Sequence, residues 1–98
     1  MIRQMINSAY RLIIDPGVDV TLAAARNIHV VKPDNTTVTY AATMLSEREI
    51  YVDITSASNN LAGRWLFEAV CSIGGQDYRG ETKALIIWPE WTPFENEI

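Results

Sequence analysis

Only two side chains in this 98-residue sequence have the chemistry of a nucleophile and its base: one cysteine, Cys71, and one histidine, His29. Cys–His catalysis requires both at one pocket, with a positive neighbour to hold the thiolate. Cys71 instead belongs to an alternating run with Trp65, Phe67, Ala69 and Ile73. That period of two marks one face of a strand, and on a core-facing set a free thiol is a small hydrophobe. His29 has the opposite parity from Ile28 and Val30, so no catalytic pair is expected. Metal sites fare no better. Two Cys/His residues cannot supply a four-ligand zinc site, and Asp15, Asp19, Asp34 and Asp53 lack the spacing of a calcium loop. Gly74-Gly75 is followed by no lysine or helix, as a phosphate loop would be. Catalytic, metal and cofactor-binding residues are therefore expected to be absent, and the chain is read as no enzyme.

The elements that carry these residues are strands. Gly63 to Trp88 reads as a long β-hairpin, turning at Gly74-Gly75-Gln76-Asp77 and stopped by Pro89, which has no N–H to donate. Arg26–Lys32 and Thr37–Ala41 form a second hairpin around Pro33-Asp34-Asn35-Thr36. Ala9–Asp15 is β-rich and ends at Asp15-Pro16-Gly17. Val18–Leu22 alternates, with Val18, Val20 and Leu22 expected inward. Ala42–Arg48 is a loop or weak strand. Ile50–Ile54 alternates most clearly, with Ile50, Val52 and Ile54 expected in the core. The polar crossover from Ser56 is expected to make one helical turn plugged by Leu61.

About seven short strands, with turn signals every 8 to 12 residues or so, imply an all-β protein. An immunoglobulin-like antiparallel β-sandwich is favoured over a barrel. Its expected organisation is an N-terminal arm over 1–8, the sandwich domain over 9–89 and a C-terminal tail over 90–98. Hydrophobic residues make up 48% and charged residues 20%, ordinary for one globular domain. A net charge of −4 and the lack of a basic run argue against nucleic acid and anionic membranes as partners. No apolar run approaches the roughly 20 residues that span a bilayer, and the N-terminus lacks the form of a secretory signal.

What remains is surface. Leu66 and Val70 share a face with Arg64 and Glu68, and Leu85 and Ile87 share the parity of Arg79, Glu81 and Lys83. From Ala84 to Trp88 both faces are apolar, so something covers the second side. Either a terminal segment of the chain folds over it, or another protein does. Trp91 and Phe94 in the tail are further anchors of the kind that dominate interfaces. The expected protein interface is thus Leu66, Val70, Leu85, Ile87, Trp91 and Phe94.

Lys32-Pro33-Asp34, the alternating Ile50–Ile54, and Ala62-Gly63-Arg64-Trp65 after a polar crossover resemble the small immunoglobulin-like domain of tailed-phage tail and baseplate proteins. The likeness is nearest to the N-terminal domain of phage baseplate upper proteins and covers residues 15 to 89. Asn35 stands where that family has glycine after Pro-Asp, and asparagine tolerates the same left-handed backbone. The resemblance implies a non-enzymatic virion component, at the neck, tail, baseplate or capsid surface. It would be made in the host cytoplasm and would contact other virion structural proteins, in multiple copies within a symmetric assembly. The rival expectation is a cellular binding or adaptor module for a peptide or glycan. Its loops would offer Asn59, Asn60, Gln76 and Asp77.

Overall fold

A computed structural model describes residues 4–89. Eight strands make up the described chain: β1 (Gln4–Met5), β2 (Tyr10–Ile14), β3 (Ala25–Val31), β4 (Thr37–Ala41), β5 (Thr43–Ser46), β6 (Glu49–Ile54), β7 (Gly63–Ile73) and β8 (Gln76–Trp88). They form two sheets, ordered β1-β8-β7-β3-β4 and β2-β6-β5. The molecule is an all-β, sandwich-like protein. All ladders are antiparallel except that of β1, which runs parallel to the end of β8.

The core lies between the sheets. Leu12 and Ile14 of β2 and Ile50, Val52 and Ile54 of β6 face Ile28 and Val30 of β3 and Trp65, Phe67, Ala69 and Cys71 of β7. Each set alternates along its strand, which fixes the register, because a one-residue slip would turn every core residue outward. Ile50, Val52 and Ile54 are buried as their spacing predicts, and Leu61 packs against the core from the crossover.

One stretch departs from expectation. Val18–Leu22 forms no strand: Val20 alone is fully buried, while Leu22 is 86% exposed. The cause is local. The Asp19 carboxylate accepts from both the backbone N–H and the hydroxyl of Thr21, at 2.9 and 2.6 Å, a turn that competes with ladder pairing. The guanidinium of Arg26 then binds the Val20 carbonyl at 2.9 Å and holds the loop against the sandwich. Of the two readings of Ala42–Arg48, loop or weak strand, the second holds: β5 pairs with β6 with one register shift. The crossover closes a single helical turn, in which the Ser58 and Asn59 N–H groups share the Thr55 carbonyl.

The N-terminal residues are not a separate arm where they are described. Ile6 N–H donates to the Trp88 carbonyl at 2.8 Å and Asn7 N–H to the Asn59 carbonyl at 2.7 Å. The buried Asn59 amide donates to the carbonyls of Met5 and Ser8, at 2.8 and 2.9 Å. Residues 4–8 thereby close the edge of β8 beside the crossover.

The β3–β4 turn is set by Asp34, whose carboxylate accepts from the hydroxyl and N–H of Thr36 at 2.6 and 3.1 Å. Asn35 takes the left-handed backbone at φ 68°. The two Thr36 bonds hold the Asp34 carboxyl below its usual range, and Thr21 does the same for Asp19. A carboxylate with a lowered folded-state pKa stabilises the fold above its unfolded pKa of about 3.9, and that stabilisation is lost as pH falls through the folded value. The melting temperature is accordingly expected to drop on acidification from about pH 5 towards pH 2. Asp34→Asn keeps the turn acceptor but cannot titrate, so calorimetry across that range should give a shallower slope for the variant.

Candidate functional site

The outer face of the five-stranded sheet carries the unpaired apolar surface, but its members differ from those expected. The register pairs Trp65 with Leu85 and Gly63 with Ile87. Directly opposed residues share a face, so Leu85 and Ile87 point with Trp65 into the sandwich. Ile87 is 1% exposed within the core, and Leu85 packs against it. Neither belongs to an outer surface.

The reason is a bulge. Glu68 pairs with Thr82 but Val70 pairs with Arg79, so β8 has one extra residue opposite Ala69. Such an insertion reverses the parity of everything beyond it. Arg79 stands on the outer face as expected, and Glu81, Lys83, Leu85 and Ile87 turn inward. The signal for this was Gly80, an isolated glycine inside a strand pattern. Space, not φ, demands glycine there. A side-chain carbon at position 80 would overlap the Pro16 carbonyl group and fall 2.5 Å from the Asp15 oxygen. The bulge brings the end of β2 onto β8: Glu81 N–H donates to the Asp15 carbonyl at 2.9 Å, Asp15 N–H to Glu81 Oε1 at 3.0 Å, and Lys83 Nζ to the Ile13 carbonyl at 2.8 Å.

The outer apolar patch is therefore Val31, Leu66, Ala84 and Ile86. Val31, Leu66 and Ala84 form one cross-strand row, and Ile86, 45% exposed, lies next to it opposite Arg64. Beside the row, His29, Glu68 and Thr82 line a shallow depression of about 200 Å³. Leu66 is half-buried here as expected. Val70 shares its face but is only 7% exposed, flanked in register by Asn27 and Arg79. Arg79 Nη1 spans to Glu68 Oε1 at 2.7 Å. Trp91 and Phe94 lie outside the described residues.

Chemistry-bearing side chains do not converge. Cys71 is buried on the inner face and burial pushes its thiol up, away from thiolate. His29 lies on the outer face, in register with Glu68 and Thr39, so the sheet itself separates the two. Burial, with Tyr40 nearby, pushes the Tyr10 phenol up to about 12. Arg11 forms a bidentate pair with Asp53 at 2.8 and 3.1 Å, stacks 4.0 Å over Tyr51, and lowers the Asp53 carboxyl. Among the described residues, no three His, Cys, Asp or Glu side chains cluster as metal ligands would. No described helix is long and apolar enough to cross a membrane.

Comparison of the chain with protein families, with curated proteins and with solved structures returned no match. The class is thus defined by the fold itself: a two-sheet, sandwich-like all-β protein whose outer sheet face carries an apolar patch.

Proposed function

We propose that this chain is an immunoglobulin-like, non-catalytic contact module of a tailed-phage particle, docking other virion structural proteins through the outer face of its five-stranded sheet. The carrying observation is the Val31–Leu66–Ala84 row with Ile86 beside it, apolar on a face that a solvated sheet would make polar. The immunoglobulin-like assignment is supported by strand order. The hairpin partners β7 and β8 lie beside β3 and β4 in one sheet, with β7 next to β3, while β2, β6 and β5 form the other. That division resembles the one in variable-type immunoglobulin domains, between a sheet extended beyond its central strands and its smaller partner. A short first strand parallel to the last fits the same plan. The phage setting is supported by the sequence resemblance at Lys32-Pro33-Asp34, Ile50–Ile54 and Ala62–Trp65.

The test is co-sedimentation in the native setting, with particles banded on a density gradient. The chain should band with assembled particles. The Leu66→Asp/Ile86→Asp double variant should stay at the top of the gradient while its melting temperature falls by only a few degrees, since both side chains are partly solvated already. A wild-type chain absent from the particle band would sink the phage setting. A folded double variant that still bands with particles would sink the surface assignment.

A further inference from the structure

We propose that the free edge of β4 pairs antiparallel with β4 of a second copy of this chain, Thr39 lying on the two-fold axis. This surface is an edge and not the outer face, so it does not depend on the docking surface proposed above.

β4 ends the five-stranded sheet. Ala42 N–H donates to the Arg26 carbonyl and Lys32 N–H to the Thr36 carbonyl, which fixes which β4 residues turn their backbone towards β3. In an antiparallel ladder these alternate. Val38 and Tyr40 therefore bond β3, and Thr37, Thr39 and Ala41 project their N–H and C=O groups outward. No described residue bonds those groups.

The other sheet edges are blunted by the devices that ordinarily prevent edge pairing. β1 is only two residues long. β5 is four residues long and interrupted by a register shift. β2 carries the Arg11–Asp53 pair, has the Ile13 carbonyl taken by Lys83, and ends in Asp15-Pro16-Gly17. β4, TVTYA, has no charge, proline, glycine or bulge.

The occupant follows from the pattern along β4. With Thr39 opposite Thr39, Thr37 meets Ala41 and Val38 meets Tyr40 in both directions. All three outward-bonding residues then exchange N–H and C=O with the partner. The paired side chains are a threonine–threonine contact and two contacts of a β-branched residue with an aromatic, each a favourable cross-strand pair. No charge of this acidic chain is brought opposite its like. The result is a closed, isologous two-fold dimer with one continuous sheet across it.

Sedimentation equilibrium of the full chain, loaded to about 200 μM so that micromolar affinities register, is expected to give twice the 11.0 kDa chain mass. Two variants test the edge. Thr39→Pro removes an N–H that β3 does not use, and Thr39→Lys sets like charges on the axis from an exposed side chain. Each should sediment at the single-chain mass with a cooperative melt. Amide exchange at Thr37, Thr39 and Ala41 should be at least tenfold slower in wild type than in Thr39→Lys. Should Thr39→Pro fail to fold, Thr39→Lys decides alone. Leu66→Asp/Ile86→Asp should remain dimeric. The proposal is overturned by a wild type that stays single at 200 μM or so, by a dimeric Thr39→Lys, or by a dimer that the outer-face variant abolishes.

Discussion

Gly80→Ala is expected to destabilise this protein by at least about 3 kcal/mol, an effect at the upper end of overpacking changes. In an ordinary strand the substitution would stabilise, since alanine loses less conformational freedom than glycine on folding. The sign is therefore diagnostic of the local packing. A side-chain carbon at position 80 meets the Pro16 carbonyl group and the Asp15 oxygen. These are backbone atoms, so no side-chain rotation relieves the overlap. Relief requires the end of β2 to withdraw from β8, which gives up the Glu81 N–H bond to the Asp15 carbonyl and the Asp15 N–H bond to Glu81 Oε1. Urea denaturation with an unchanged slope would read the loss directly. Gly74→Ala is the internal comparison. Nothing lies within 4 Å of a side-chain carbon there, and only the left-handed φ of 60° opposes it. Its loss should be about 1–2 kcal/mol. A Gly80→Ala protein as stable as wild type would show that β2 does not dock on the bulge.

Gly80 also explains where sequence legibility stopped. The β2, β3, β4, β6 and β7 strands, the hairpin turn at Asp34–Asn35 and the core set Ile50, Val52, Ile54, Trp65 and Phe67 follow from alternation and turn chemistry alone. Those signals are local, and a strand read in isolation keeps its parity. Which face Leu85 and Ile87 occupy is not local. It depends on a bulge eight or so residues before the strand ends, and on the approach of Pro16 from the other sheet. The same limit applies to Val18–Leu22, where alternation suggested a strand but the Asp19 side chain had an intramolecular turn to make instead. Alternation records hydrophobicity at each position; it does not record what the backbone hydrogen-bonds to. For the candidate site, the apolar excess of the last hairpin was visible, and Leu66 stands where its parity put it. Ile86 and Val31 emerged only once the register was fixed.

Trp65→Ala is expected to destabilise the folded chain by about 3–5 kcal/mol, the usual range for truncating a buried aromatic. Trp65 is 0% exposed, stacks with Phe67 at a centroid distance of 6.2 Å, and has Lys32 Nζ 5.4 Å from its ring centroid. Its indole N–H donates to the Leu61 carbonyl at 2.9 Å. That bond ties the crossover to the strand that follows it, so truncation removes core volume and also strands a carbonyl at the sandwich end. In a domain whose total stability is roughly 5–15 kcal/mol, such a loss lowers the melting temperature by at least about 12 °C. Calorimetry, or circular dichroism in the far ultraviolet, measures it without relying on the fluorophore removed. Trp65→Phe helps separate the two contributions, because it loses the donor but retains much of the ring volume. It should recover more than half of the alanine loss, leaving about 1–2 kcal/mol for the bond and the remaining void. An alanine variant within about 1 kcal/mol of wild type would mean that Trp65 is not the centre of this core. Equal losses for alanine and phenylalanine would instead make the hydrogen bond to Leu61, rather than ring packing, the dominant contribution of Trp65.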